Sequence, residues 1–148
     1  MLDGLFVAPA VTAITEALGE IEGTIAVIGD AKIAQALADK HTVIAVGMTG
    51  RAAKKLSKPL AEGALADLST VDPLSLAAIV GTDVTIDDGW ATTLRSWTRA
   101  TRDGGSIILV DKGRAAEASR RALCAGLTEL EQRHAGRAVI TSGMVTHL

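Results

Sequence analysis

The residues of this chain best suited to chemistry are carboxylates at the ends of short apolar runs. Asp30 follows Gly29, which closes the run Thr24-Ile25-Ala26-Val27-Ile28, and Asp67 follows Ala64-Leu65-Ala66. A carboxylate at such a point can accept two hydroxyls at once, meet a cationic group, or cap the helix that comes next. Capping is the simpler role for Asp30. Lys32 stands near the same turn, where a helix N-terminus would suit an anion. Gly29-x-Ala31-x-x-Ala34 is a fragment of the dinucleotide fingerprint, but the acid that fingerprint needs after the second strand is replaced by Gly47. Asp87-Asp88-Gly89 reads as a turn and N-cap before a helix, with a substrate-facing role as the alternative.

The rest of the reactive inventory is thin. His41, His134 and His147 are far apart with no i, i+4 pair, so no metal site is expected. The single cysteine, Cys124, excludes an intrachain disulfide and a multi-cysteine metal site, and is expected to be a small buried apolar residue. The net charge of −2 gives no field favouring nucleic acid or an anionic membrane. No apolar run approaches the ~18–20 residues that span a bilayer. Leu5-Phe6-Val7-Ala8-Pro9-Ala10 is too short for an export leader, and Asp3 stands where a basic region would be, so a cytoplasmic protein is expected.

These residues must be positioned by a core poor in rings. Hydrophobic residues are 48% of the 148-residue chain but aromatics only 2%, leaving Ala, Val, Leu and Ile with Phe6, Trp90 and Trp97. The length fits one domain. Helical spacing runs from Pro9 to Glu20, with Pro9 in the first turn and Gly23 at the exit. Strand Thr24–Ile28, helix Ala31–Lys40 and strand Thr42–Val46 follow. Thr49 is placed to cap a helix that Pro59 ends, and Ala64-Leu65-Ala66 reads as a weaker strand. Leu76–Val80 is the fourth strand, Trp90–Arg102 a helix closed by Gly104-Gly105, and Ser106–Val110 the fifth strand. Trp90 and Trp97 share one face of that helix, for the core or for a partner. After helix Arg114–Ala125, Leu127–His134 and Arg137–Thr141 have no helix between them and predict an antiparallel hairpin. The expected fold is α/β: a Rossmann-like, mostly parallel sheet with a C-terminal antiparallel hairpin and helices on both faces.

That order of elements resembles the class I S-adenosylmethionine (SAM) methyltransferases. Arg99-Ala100-Thr101-Arg102-Asp103-Gly104-Gly105-Ser106-Ile107-Ile108-Leu109-Val110-Asp111 is similar to the family's helix–Pro-Gly-Gly–strand segment, with Asp103 where Pro is usual. Ala125-Gly126-Leu127 and Gly136-Arg137-Ala138-Val139-Ile140-Thr141 resemble its last helix and hairpin. The resemblance implies a SAM site at the carboxyl ends of the strands, formed by Gly29, Asp30, Ala31, Gly47, Met48, Asp67, Leu68 and Gly81. It also implies losses. The acid of the first strand matches Val27, the glycine-rich turn is reduced to Gly29-Asp30-Ala31, and the ribose-binding acid of the second strand matches Gly47. Asp67 matches the position near the adenine.

Three functions are therefore carried forward. The first is a non-catalytic methyltransferase-like protein acting as a partner or scaffold subunit, in a hetero- or homo-oligomer. The second is an active SAM-dependent methyltransferase with an atypical site. The third is a module for another nucleotide or small molecule.

Overall fold

The computed structural model describes residues 4–147, with side chains from Ala8 onward. Asp3 and the side chain of Phe6 therefore lie outside the described residues. The elements are α1 (Gly4–Leu18), β1 (Thr24–Ile28), α2 (Ala31–Ala38), β2 (Thr42–Val46), α3 (Gly50–Lys54), α4 (Lys58–Glu62), β3 (Leu76–Thr82), a 3-10 turn at Val84–Ile86, α5 (Trp90–Ala100), β4 (Thr101–Lys112), α6 (Ala115–Cys124), β5 (Thr128–Ala135) and β6 (Ala138–Met144). One sheet runs in the order β2-β1-β3-β4-β6-β5. The first four of these strands are parallel, β6 is antiparallel to β4, and β5 is antiparallel to β6. The expected fold class is the observed one.

The central strands are apolar without alternation because both faces are covered. Ile25, Val27, Ala78, Val80, Ile108 and Ile140 pack with residues of α1 and α2. Ala26, Ile79, Ile107 and Leu109 pack on the other face with Leu94 and Trp97 of α5 and Ala118 and Ala122 of α6. Each fully buried Val, Leu or Ile side chain contributes ~1.5–3 kcal/mol of transfer free energy. Ile25, Ile79, Ile107, Ile108 and Leu109 are all fully buried.

Several boundaries differ from expectation. The first helix begins at Gly4, so Pro9 lies inside it, and it exits at Gly19, whose φ of +61° ends the helix before Gly23. Thr49 occupies an N-cap position but its side chain makes no cap bond. Pro59 opens α4 rather than ending the preceding helix, which suits a ring whose missing N–H would be unsatisfied in the first turn anyway. Helix α5 stops at Ala100, and Arg102 and Gly104-Gly105 belong to β4, whose first residues continue without a loop. Thr101 makes that junction, its hydroxyl donating to the Trp97 carbonyl at 2.8 Å. The weak strand at 64–66 contracts to one parallel bridge, Leu65 beside Val46, at the outer edge of β2. Cys124 is exposed, at the last turn of α6 where the helix turns to solvent, rather than buried.

Candidate ligand cleft at the carboxyl ends of the strands

Beyond β1 the chain turns through Gly29 and Asp30 before α2 begins at Ala31. Asp30 is fully buried, and its Oδ1 accepts from the backbone N–H of Lys32 at 3.0 Å and of Ile33 at 3.1 Å. It is the helix N-cap, so the N-terminal donors of α2 already hold a carboxylate. The other oxygen, Oδ2, is buried without a hydrogen-bond partner.

The sheet changes direction between β1 and β3: β2 lies on one side of β1, and β3 followed by β4 on the other. In open parallel sheets, the crevice at such a point is where ligands ordinarily sit. Here it is narrow. Gly29 has φ +89°, and a Cβ on it would stand 2.7 Å from Thr82 Oγ1. Gly81, the register partner of Ile28, lies directly beneath the Trp97 ring, and any side chain there would overlap the indole. Trp97 is only 5% exposed.

One strand away a cleft of about 300 Å³ remains open. Its floor is Ile28 and Val46, one wall is Gly47 with Ala66, Asp67 and Leu68, and the other is Thr92, Thr93, Ser96 and Trp97 of α5. The walls are fixed. The Leu65 carbonyl accepts from the Gly47 N–H at 2.9 Å, Arg99 donates to the Leu68 carbonyl at 2.9 Å, and the Thr93 hydroxyl donates to Asp87 Oδ2 at 2.8 Å. Asp87 also accepts from the Gly89 N–H at 2.8 Å, so Asp87-Asp88-Gly89 forms the expected turn, but the N-cap position falls on Gly89 and has no side-chain cap bond. Hydrogen bonds from the Ser69 side chain and backbone hold the exposed Asp67 carboxyl below the usual carboxylate range, so it is ionised at neutral pH.

The expected site residues therefore separate. Gly47, Asp67 and Leu68 line the open cleft. Gly29, Asp30 and Gly81 belong to the narrow crevice. Ala31 is fully buried. It borders a separate cavity of about 690 Å³ lined by α1 and α2 residues with Lys55. Met48 packs against the core face covered by α2. Thr92, Thr93 and Ser96 were missed by sequence reasoning, although Thr93, Ser96 and Trp97 share a helix face at i, i+3 and i+4.

A second missed feature is at the end of β4. Asp111 is 1% exposed, and its Oδ1 accepts from the Thr85 N–H at 3.1 Å and the Thr85 hydroxyl at 2.8 Å. Burial pushes its carboxyl above the ordinary value, and the Thr85 bonds oppose this only in part. Nearby, the Trp90 ring lies 5.5 Å from the Arg120 and 5.2 Å from the Arg121 guanidinium, while Arg121 donates to the carbonyls of Val84 and Asp87. Trp90 is thus half-buried and tied to α6, unlike Trp97. Among the described residues, no group of three or more His, Cys, Asp or Glu side chains is placed to hold a metal, and no helix is long and apolar enough to cross a membrane.

The sequence matches no family model and no curated protein. Solved structures do match. A Methanococcus maripaludis protein named as an S-adenosyl-L-methionine-dependent methyltransferase superposes with a TM-score of 0.75 at 14% identity, over 97% of this chain and 87% of its own. A chain from the complex of the Haloferax volcanii Trm112 methyltransferase activator with a protein named as a methyltransferase gives 0.70 at 14% identity, over 93% and 90%. The geranyl diphosphate C-methyltransferase of Streptomyces coelicolor, solved with Mg²⁺, geranyl diphosphate and S-adenosyl-L-homocysteine, gives 0.71 at 9% identity, over 94% and 80%. The fold is that of the class I methyltransferases. At these identities the likeness is one of fold, and the class I methyltransferase-like sheet places both the crevice and the cleft at the strand ends.

Proposed function

We propose that this chain is a one-domain, cytoplasmic methyltransferase-fold protein that does not transfer methyl groups and acts as a partner or scaffold subunit. The observation that carries the reading is the narrow crevice between β1 and β3. The methionine arm of SAM would have to pass over Gly29, where Thr82 stands close, and over Gly81, where Trp97 lies. The acid expected on β1 is Val27, fully buried in the core, and the end of β2 offers Gly47. Of the expected contact residues, Gly47, Asp67 and Leu68 line the open cleft that an adenosyl group would enter, and Met48 packs against the core instead. Asp30 is fully buried and engaged with α2 through Oδ1, and Gly29 and Gly81 lie against Thr82 and Trp97. The residues do not fit the whole cofactor. Loss of two charge-assisted contacts at ~1.5–3 kcal/mol each weakens binding roughly a hundredfold to ten-thousandfold.

Association is supported by three large apolar side chains left outside among the described residues, Ile86 at 64%, Leu123 at 62% and Leu74 at 51% exposed. The Haloferax volcanii neighbour was solved in complex with a methyltransferase activator, which supports a protein partner for this fold. Calorimetric titration of SAM and S-adenosylhomocysteine into refolded protein tests the reading. No heat at millimolar ligand is expected, and a dissociation constant at or below tens of micromolar would sink it. Sedimentation at rising concentration then separates self-association from the need for a second protein.

A second reading, an active methyltransferase with an atypical site, has the open cleft and ionised Asp67 in its favour. Turnover of SAM with a methyl acceptor would establish it.

A further inference from the structure

We infer that the groove over α2, bordered by α1 and by the end of α3, seats an acidic segment of a partner protein. This rests on the reading above that the chain acts as a partner or scaffold subunit. Lys32, Gln35, Ala36 and Asp39 recur at i, i+3, i+4 and i+7, so they share one face of α2. With Val11 of α1 and with Lys55 they line the cavity of about 690 Å³. The chain that follows α3 is held against that face, because Gln35 Oε1 accepts from the Ser57 N–H at 2.9 Å. Apolar lining and cations therefore meet in one recess, with Lys32 on α2 and Lys55 just past α3.

Charge decides the occupant. From Lys40 to Ala61 the chain carries Lys40, Arg51, Lys54, Lys55 and Lys58 and no Asp or Glu. Arg51 stands four residues before Lys55, on the same side of α3, and Lys58 follows the Ser57 that is tied to α2. Among the described residues, none of these side chains, nor that of Lys32, stands in an ion pair. On a chain of net charge −2 this is a local excess of cations beside one groove, and Asp39 is the one carboxylate of the lining. Such a surface is complementary to a segment that brings carboxylates and apolar side chains together. A nucleic acid fits less well, since the lining has no aromatic ring on which a base could stack. A membrane also fits less well, since the apolar residues line a recess instead of projecting into a bilayer.

The test is fluorescence anisotropy of two labelled peptides titrated with the full chain. One is an amphipathic helix of glutamate and leucine, and the other keeps every glutamate but replaces leucine by serine. The leucine peptide is expected to bind at least about tenfold more tightly than the serine peptide, and more weakly as salt rises. The double variant Lys32→Glu with Lys55→Glu is expected to weaken it at least about tenfold, and Ala36→Phe, which fills the groove without changing its charge, by about as much. Lys32 and Ala36 are half-buried and Lys55 is exposed, so these variants are expected to melt near the parent temperature, which circular dichroism checks. The inference is overturned if the leucine peptide stays unbound at millimolar chain, or if the folded variants bind it like the parent. It is also overturned if polyuridylic acid or phosphatidylserine vesicles bind the parent more tightly than the peptide does. Silence from the peptide overturns this inference alone, since Ile86 and Leu123 still offer a partner another surface. Tight SAM binding sinks the non-catalytic reading and leaves the peptide result to decide the groove.

Discussion

Between β1 and β3 the strand ends are shut: Thr82 stands against Gly29, Trp97 lies over Gly81, and the carboxylate that might have met a ligand is spent on capping α2. One strand away, past the end of β2, the same helix face that supplies Trp97 opens onto a cleft with hydroxyls and an exposed, ionised Asp67. Both regions lie at carboxyl ends of one parallel sheet. Strand order therefore does not decide where a ligand can go. What decides it is how many residues the first turn has and which side chain fills each gap. A two-residue turn, Gly29-Asp30, brings α2 straight onto β1, and a glycine at position 81 lets an indole settle where a ligand would otherwise lie.

The strongest way to break this contrast is to remove the ring. Trp97→Ala takes away the cover of Gly81 and is expected to destabilise the fold by about 3–5 kcal/mol, read from the urea midpoint at unchanged slope. A cost below 1 kcal/mol would mean that the ring does not fill the gap. Next comes Gly81→Ala. A methyl group there collides with the indole, and the expected cost is about 1–3 kcal/mol. The double variant sharpens the point, since Gly81→Ala should cost less once Trp97 is Ala; simple additivity would contradict direct packing.

The cap of α2 gives a smaller effect. Asp30→Ala removes the acceptor for two backbone donors and is expected to cost about 0.5–2 kcal/mol, whereas Asp30→Asn keeps an oxygen in the same place and should cost less. If Asn costs as much as Ala, the second carboxylate oxygen, buried and unpaired, matters in a way that capping does not explain.

Much of the fold was legible. Unbroken apolar runs such as Thr24–Ile28 and Leu76–Val80 read as buried parallel strands because nothing on them needs water, and the last two strands read as a hairpin because no helix fits between them. Boundaries were less legible where local signals compete. Pro9 reads as a helix start and Pro59 as a helix end, yet α1 begins before Pro9, Pro59 opens α4, and Gly104-Gly105 continues a strand that sequence logic would end. Of the site, Gly47, Asp67 and Leu68 could be placed because they close apolar runs. The opposite wall could not. Thr92 and Ser96 carry no signal until α5 is docked, and the meeting of Thr82 with Gly29 joins residues distant in the chain. Cys124 was misplaced because composition says nothing of which helix face points outward.

The smallest effect separates a buried strand-end carboxylate from the exposed one of the cleft by sign. Asp111, buried at the end of β4, has a folded carboxyl raised above its unfolded value, chiefly by desolvation. Below the unfolded value, near pH 4, it is neutral in both states and carries no penalty. As pH rises from there through the raised folded value, the unfolded chain ionises first and stability falls. Asp67, exposed in the cleft, is lowered by its Ser69 bonds, so its contribution is present above the unfolded value and is lost as pH falls through the folded one. Asp111→Asn keeps an oxygen for the Thr85 donors and should remove a downward slope of melting temperature with rising pH. Asp67→Asn should remove an upward one at the acid end. Melting curves of both variants against the parent from about pH 3 to 7 read the two slopes. Slopes of the same sign would mean that burial does not set the Asp111 carboxyl apart from the exposed Asp67.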